Sequence, residues 1–214
     1  MLDVIVIALG GYLLGSISGS LVLGRFRNVD IRSMGSGNAG GTNALRTLGW
    51  KFALLVVLID VGKGAVAAGV LPFLGPWLSA SPASTLTLGA LAGFAAVLGH
   101  IWPLYFRLRG GKGAGTAVGV IVVMAPWCIL PLLLVWIFTI IGTGYVGLAT
   151  VLAGLSLVPS MWLLGPEPLP LSLGLLAVGL AVLLVFTHRG NLVRLKSGTE
   201  NRFEKARLIR RRRS

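Results

Sequence analysis

Val4 to Leu23 reads V-I-V-I-A-L-G-G-Y-L-L-G-S-I-S-G-S-L-V-L, a stretch without a single charge. A helix of this length rises about 30 Å, the thickness of the hydrocarbon core of a bilayer. The residues before it contain no basic n-region and no A-x-A site, so the stretch reads as a retained first span rather than a cleaved signal. Gly11, Gly15 and Gly19 recur every four residues, which on one continuous helix places them along one face. Glycines there let a neighbouring helix approach closely, the usual packing device inside lipid.

The rest of the chain has the same character. Its 214 residues are 55% hydrophobic and 12% charged, with mean hydropathy +0.89. A soluble domain carries about a quarter charged residues, so the composition defines an all-α polytopic membrane protein. The net charge of +13 belongs in such a chain to orientation and contact with anionic lipid, not to nucleic acid. One cysteine excludes an internal disulfide, and Cys128, inside an apolar run, reads as packing. Two histidines and one cysteine do not make a protein-built zinc site, so no metal is expected.

Further apolar segments run from Phe52 to Leu71, from Ser84 to Tyr105, and from Thr116 to Thr187. The last is interrupted by Pro126, Pro131, Gly142-Thr143-Gly144 and Gly165-Pro166-Glu167-Pro168. Inside the second, Asp60 and Lys63 stand at i, i+3 on one helix face, where they can pair. Either alone at the bilayer centre costs about 2.5–3.5 kcal/mol on insertion scales.

Charge sets the topology. Of the 19 Lys and Arg, five lie in 24–51, three in 107–112 and ten after His188, with Lys63 the remaining one. The loops at 72–83 and 165–169 carry none. The positive-inside rule therefore puts all three basic regions in the cytoplasm. Three spans then precede the second basic region, the N-terminus lies outside, and Thr116–Thr187 must hold an even number of spans. Two would be far longer than a bilayer needs and four just long enough. The expected fold is seven transmembrane helices, with five the alternative that parity also allows. The C-terminus is cytoplasmic. The organisation is one membrane domain over 1–200 followed by a basic tail, 201–214.

The three basic regions also share a chemistry. Ser33–Arg46 reads S-M-G-S-G-N-A-G-G-T-N-A-L-R, Arg107–Gly115 reads R-L-R-G-G-K-G-A-G, and His188–Glu200 reads H-R-G-N-L-V-R-L-K-S-G-T-E. Glycine lets successive backbone N–H groups converge on an anion while Lys or Arg supplies charge. The G-x-G-x-x-G of Gly35–Gly40 follows a membrane span rather than a strand, so it is not a dinucleotide fingerprint. Gly110-Gly-Lys112-Gly is not a Walker loop, because no Ser or Thr follows the lysine. What remains is three phosphate cradles on one membrane face. In the third, His188 and Asn191 share a helix face at i, i+3. Neither of the first two loops carries a carboxylate or histidine beside its motif, and His100, before Trp102-Pro103, reads as interfacial or structural.

These motifs resemble those of the bacterial acyl-phosphate:glycerol-3-phosphate acyltransferase family. G-S-G-N-A-G-G-T-N-A-L-R is similar to its first motif, G-H-I-W-P-L-Y-F-R-L-R-G-G-K-G to its second, and H-R-G-N-L-V-R-L-K-S-G-T-E to its third. Y-L-L-G-S-I and D-V-G-K-G also fit the pattern, and the match is collinear over nearly the whole chain. Gly41, Ser18 and Thr187 depart from it, standing where alanine, proline and arginine are usual. The resemblance implies acyl transfer from acyl phosphate to the 1-hydroxyl of sn-glycerol 3-phosphate, giving lysophosphatidic acid and phosphate, without a cofactor. It implies catalytic roles for Ser36, Arg46, Lys112, His188 and Asn191. Substrate contacts are implied for Gly37, Asn38, Gly40, Gly41, Thr42, Asn43, Gly110, Gly111, Gly113, Thr199 and Glu200. Membrane lipid and the soluble enzyme that makes acyl phosphate are the implied partners, and a bacterial inner membrane the implied location. No nucleic acid is among the expected partners.

The H-x-x-x-x-D signature of thioester-dependent acyltransferases is missing, since Tyr105 and Val193 stand five residues past the two histidines. The alternative from another class is a transporter of a phosphorylated solute, which would place its polar groups near the midplane. Reporter fusions test the topology. A reporter after Ser214 is expected to be active on the cytoplasmic side and one placed within 72–83 on the opposite side; the reverse pattern overturns the assignment.

Overall fold

Lipid cannot hydrogen-bond a backbone, so each apolar segment must satisfy its own N–H and C=O groups as helix. The computed structural model describes residues 1–203 and shows only helices, turns and loops among them. In chain order these are α1 (Leu2–Gly15), α2 (Gly19–Phe26), α3 (Gly41–Leu48), α4 (Trp50–Gly69), α5 (Gly75–Leu78) and α6 (Thr85–Ile101). There follow α7 (Ala114–Met124), α8 (Ile129–Thr143), α9 (Val146–Leu164), α10 (Leu171–Thr187) and α11 (Arg189–Lys196). They form two compact units, Met1–Pro126 and the residues from Trp127 onward. Of the expected basic tail, residues 204–214 lie outside the described residues.

Among the described residues, four helices are long and apolar enough to cross a membrane, and six if each bent pair counts as one span. The bent pairs are α1 with α2, at 45°, and α10 with α11, at 50°. The Thr116–Thr187 region contains four helices, broken near Pro126, at Gly144 and around Gly165–Pro170. The first of the four, α7, has 11 residues and so rises about 16 Å, short of a full crossing. Outward-facing apolar residues such as Leu58, Leu163 and Val182, at 59%, 81% and 64% exposure, have a place only in lipid.

In the first unit small residues set the helix spacing. A methyl on Gly11 or Gly15 would fall on the backbone of Ala92 or Ala96 in α6, and one on Gly99 would meet the Tyr12 carbonyl in α1. Gly64 of α4 lies against the Thr116 carbonyl of α7, and Gly119 of α7 against the Val61 carbonyl. The α1–α6 and α4–α7 seams are thus glycine-mediated close packings.

The first span departs from the expected continuous helix. It breaks at Ser16–Ser18, so Gly19 opens α2 and faces Val56, Ile59 and Asp60 of α4 instead of α6. The cause lies in the partner helix. The backbone groups orphaned at the break are taken up by side chains: Lys63 Nζ donates to the Ile17 carbonyl at 2.8 Å, and Gly19 N–H donates to Asp60 Oδ1 at 3.1 Å.

The second unit joins α8 to α9 through Gly144, at φ +78°, a left-handed turn that suits glycine. The chain after α11 returns to this turn. Phe203 N–H donates to the Gly144 carbonyl at 2.8 Å, and Arg202 Nε donates to the Tyr145 hydroxyl at 2.6 Å.

Gly15→Ala is expected to lower stability by about 1–3 kcal/mol, the usual cost of forcing a methyl into a closed contact. Gly62→Ala, with nothing within 4 Å of the new methyl, is expected to stay within about 1 kcal/mol. Thermal unfolding of both variants in the same detergent checks the pair.

Candidate active site

The first two basic loops each run into a helix N-terminus, a feature their glycine content alone did not show. The Gly35–Gly40 loop enters α3, whose first intrahelical bond is from Ala44 N–H to the Gly40 carbonyl at 3.0 Å. The N–H groups of Gly41, Thr42 and Asn43 precede it. Likewise Lys112-Gly113 enters α7, whose first bond joins Ala117 N–H to the Gly113 carbonyl at 2.8 Å. Each terminus offers free N–H groups and the positive end of a helix dipole, which together favour an anion. The Ser36 hydroxyl and the Arg46 guanidinium are exposed and make no hydrogen bond or ion pair among the described residues.

The shape of the first loop is held from inside. Asn43 is buried; its carbonyl oxygen accepts from Ser36 N–H at 2.9 Å, and its amide donates to the carbonyls of Ile31 (3.2 Å) and Met34 (3.0 Å). Its side chain therefore braces the loop from within. Arg32 ties this loop to the next. It forms a two-pronged pair with Asp30 (2.8 Å and 3.0 Å) and donates from Nη1 to the carbonyls of Phe106 (3.2 Å) and Arg109 (3.0 Å). The hydrogen bonds from Arg32 hold the Asp30 carboxyl below its ordinary range. The sequence reading counted Arg32 only among the basic residues of this region and passed over Asp30. The signal was an acidic residue two positions from an arginine inside an otherwise basic loop.

Below the loops lies a buried charged cluster. The Lys63 ammonium directs its three donors at the Ile17 carbonyl (2.8 Å), His100 Nδ1 (2.8 Å) and Asp60 Oδ1 (3.1 Å). The expected Asp60–Lys63 pair is present, and His100 is its unforeseen third member. The same Nδ1 lies 3.3 Å from Asp60 Oδ1, so it faces the ammonium and the carboxylate together and leaves Nε2 on the other side of the ring. A methyl on Gly111 would fall on that Nε2 and lie 2.7 Å from the Ala39 carbonyl. The second loop therefore does have a histidine beside its motif, contrary to the reading from sequence proximity. Gly111 is where His100, the first loop and the second loop meet.

In the second unit, His188 ends α10 and caps α11. Its Nδ1 lies 2.8 Å from the Leu184 carbonyl. A carbonyl only accepts, so Nδ1 carries the proton and Nε2 is the basic nitrogen of the neutral ring. Asn191 Nδ2 donates to Glu200 Oε1 at 2.6 Å, and Arg194 Nε donates to Glu200 Oε2 at 2.8 Å. Glu200 is thus engaged at both oxygens. It links Asn191 to Arg194. Gly147 of α9 sits under Asn191, with no room for a side chain of its own. The Thr199 hydroxyl lies 2.9 Å from that of Ser197.

Two basic helix-terminal loops on a membrane-embedded unit suit a phosphorylated, lipid-related substrate. Comparison with known proteins specifies which. Residues 5–198 match the family model described as glycerol-3-phosphate acyltransferase. The chain belongs to the glycerol-3-phosphate acyltransferase family. It is 43% identical to the glycerol-3-phosphate acyltransferase of Shouchella clausii (strain KSM-K16), over 96% of this chain and 98% of that one. It is 37% identical to the enzyme of the same name from Chlorobaculum tepidum, over 94% and 97%. Among solved structures it is similar to PlsY (YgiH), an integral membrane glycerol 3-phosphate acyltransferase. The glycerol 3-phosphate form matches with TM-score 0.82 and 33% identity, over 94% of this chain and 95% of that one. The lysophosphatidic acid form matches with TM-score 0.80.

The chain is therefore an integral membrane acyltransferase, and the transporter alternative falls away. In this acyltransferase Ser36, Arg46 and Lys112 belong to the first unit, and His188, Asn191, Thr199 and Glu200 to the second.

Lys63→Met is expected to destabilise by about 3–5 kcal/mol, because it strands Asp60 as a buried charge. Adding Asp60→Leu should recover part of that loss, although each substitution alone is damaging. Thermal unfolding of the single and double variants checks the coupling; strictly additive losses would show that the two side chains do not act as a pair.

Proposed function

We propose that this acyltransferase uses acyl phosphate as its donor. It acylates the 1-hydroxyl of sn-glycerol 3-phosphate and releases lysophosphatidic acid and inorganic phosphate. The observation that carries the reading is the pair of basic glycine loops in the first unit, each running into a helix N-terminus whose N–H groups precede the first intrahelical bond. Both proposed substrates are phosphorylated, and one has a fatty tail that belongs in the bilayer. The known structure in a glycerol 3-phosphate form and in a lysophosphatidic acid form supports that substrate and that product.

In the proposed reaction the substrate hydroxyl oxygen attacks the acyl carbonyl carbon, and the bond from that carbon to the phosphate oxygen breaks. The proton leaves with the departing phosphate, which serves as the base. Arg46, Lys112, His188, Asn191 and Thr199, assisted by Ser36, bind glycerol 3-phosphate. The backbone of Gly37–Gly41, with Asn38 and Thr42, and of Gly110–Gly113 approaches the acyl phosphate. Acyl phosphate is already activated, so alignment and charge balance on the carbonyl and the leaving phosphate supply most of the catalysis. The second candidate base is His188, because the Leu184 carbonyl holds its proton on Nδ1 and keeps Nε2 basic.

The proposal extends to the setting. Seven spans, the N-terminus outside and the three basic regions at the cytoplasmic face of a bacterial inner membrane agree with the charge distribution. One acyltransferase domain through residue 200 agrees with the extent of the family match. A soluble enzyme that makes acyl phosphate is the proposed partner.

Purified protein in lipid, given labelled glycerol 3-phosphate, is expected to form lysophosphatidic acid from acyl phosphate. Acyl thioesters should support at most about a hundredth of that rate; equal rates would overturn the donor assignment. Lys112→Ala should lose about 100-fold or more in kcat/KM, the scale of one charge-stabilising donor. His188→Ala retaining turnover at saturation leaves the phosphate as base, whereas a loss of about 100-fold or more makes His188 the base.

A further inference from the structure

Beside the Arg32 staple, the first unit holds a cavity of about 440 Å³ that is lined by no residue of the glycine loops Gly35–Gly41 and Gly110–Gly113. Its volume falls within the range of small-molecule sites. Arg25, Asn28, Asp30, Arg32, Phe106 and Arg107 contribute to its wall.

The charge balance of this wall is unequal. Asp30 and Arg32 neutralise each other, and the remaining Arg32 nitrogen is occupied by two carbonyls. Arg25 stacks on the Phe106 ring at 5.0 Å and, like Arg107, makes no hydrogen bond or ion pair among the described residues. Two guanidinium groups thus border the cavity without an anion. The backbone points the same way. Asn28, Arg107 and Leu108 are the non-glycine residues with positive φ among the described residues, at 54°, 57° and 57°, and the first two line the cavity. Such conformations persist only where the surroundings impose them, and they cluster at ligand-holding segments.

The segments that supply the wall also carry exposed apolar side chains. Phe26, Leu104 and Leu108, each adjacent or nearly so in sequence to a wall residue, are 82%, 54% and 52% exposed. Guanidinium groups beside outward apolar side chains are the arrangement of a membrane boundary, where the charged head meets headgroups and the apolar neighbours meet acyl chains.

We propose that this cavity is a second phosphate site, separate from the acyl-transfer site, in which Arg25 and Arg107 clamp the phosphate of a membrane phospholipid headgroup. Two guanidinium groups match phosphate oxygens by paired, charge-assisted hydrogen bonds. A soluble phosphate ester presents the same group, and the exposed apolar side chains of the wall segments favour the lipid. The assignment stands independently of the identity of the acyl donor.

The test uses the full chain in detergent, as wild type, R107Q and R25Q/R107Q. Bound phosphatidylglycerol is counted by native mass spectrometry in one arm, and binding of inorganic phosphate is measured by equilibrium dialysis in the other. Each arginine near an anionic headgroup contributes about five-fold in affinity. One retained lipid should therefore weaken about five-fold in R107Q and about 30-fold in the double variant. Turnover at saturating substrate should stay within about two-fold of wild type in both. Weakening confined to the dialysis arm would keep the phosphate site and overturn the lipid as its occupant. Unchanged binding in both arms overturns the site, and a parallel loss of turnover overturns its separateness from the acyl-transfer centre.

Discussion

A lysine ammonium enclosed within a membrane protein can remain charged only if every one of its donors is answered. Lys63 meets that condition with three acceptors from three places: Asp60 on its own helix, His100 on α6 and the Ile17 carbonyl at the break between α1 and α2. Each partner needs the lysine as much as the lysine needs it. The Ile17 carbonyl is left without an intrahelical partner by the break, and Asp60 would otherwise be a lone buried carboxylate. One cluster therefore stabilises a broken helix, a buried ion pair and the imidazole on which the second glycine loop rests. Rearranging any one of these disturbs the other two.

The glycines around this cluster serve two different purposes. Those of α1, α4, α6 and α7 are absences of side chain that let backbones touch, and they bring the three helices carrying the cluster close enough to share it. Those of the loops free backbone N–H groups and, at Gly111, leave room for His100 and the first loop. The first unit thus combines tight seams, which resist motion, with cradles whose donors stay available. Its loops are shaped by interior side chains, Asn43 within the first and Arg32 between the two. The second unit applies the same logic in its own way. Glu200 fixes Asn191 through one oxygen and Arg194 through the other, and a carbonyl sets the tautomer of His188.

Much of this was legible in the linear chain because it depends on local composition. The Asp60–Lys63 pair follows from helical spacing, and the three basic, glycine-rich loops between apolar segments can be read directly from the residues. The third member of the charged cluster was not legible. His100 lies 37 residues from Lys63, and nothing in the order of residues says that α6 brings it there. The hydrogen bonds that Asn43 and Glu200 make within their own segments were hidden for a related reason. Their motifs mark them as important, but a polar residue in a binding loop reads alike whether it holds the ligand or holds the loop. Gly19 misled in the opposite sense, since a four-residue recurrence implies one face only while the helix stays continuous.

The sequence by itself determined the class of protein, the apolar segments and where along the chain the basic, glycine-rich loops fall. Each of these rests on hydropathy, charge or backbone freedom, which are properties of single residues and their near neighbours. Only the tertiary structure decided that the first span breaks, that His100 completes the Lys63 cluster and that Arg32 staples two loops together. It also decided that both glycine loops of the first unit end on helix N-termini. These outcomes turn on which donor finds which acceptor across tens of residues. In a medium without water that matching is compulsory, but its solution is three-dimensional.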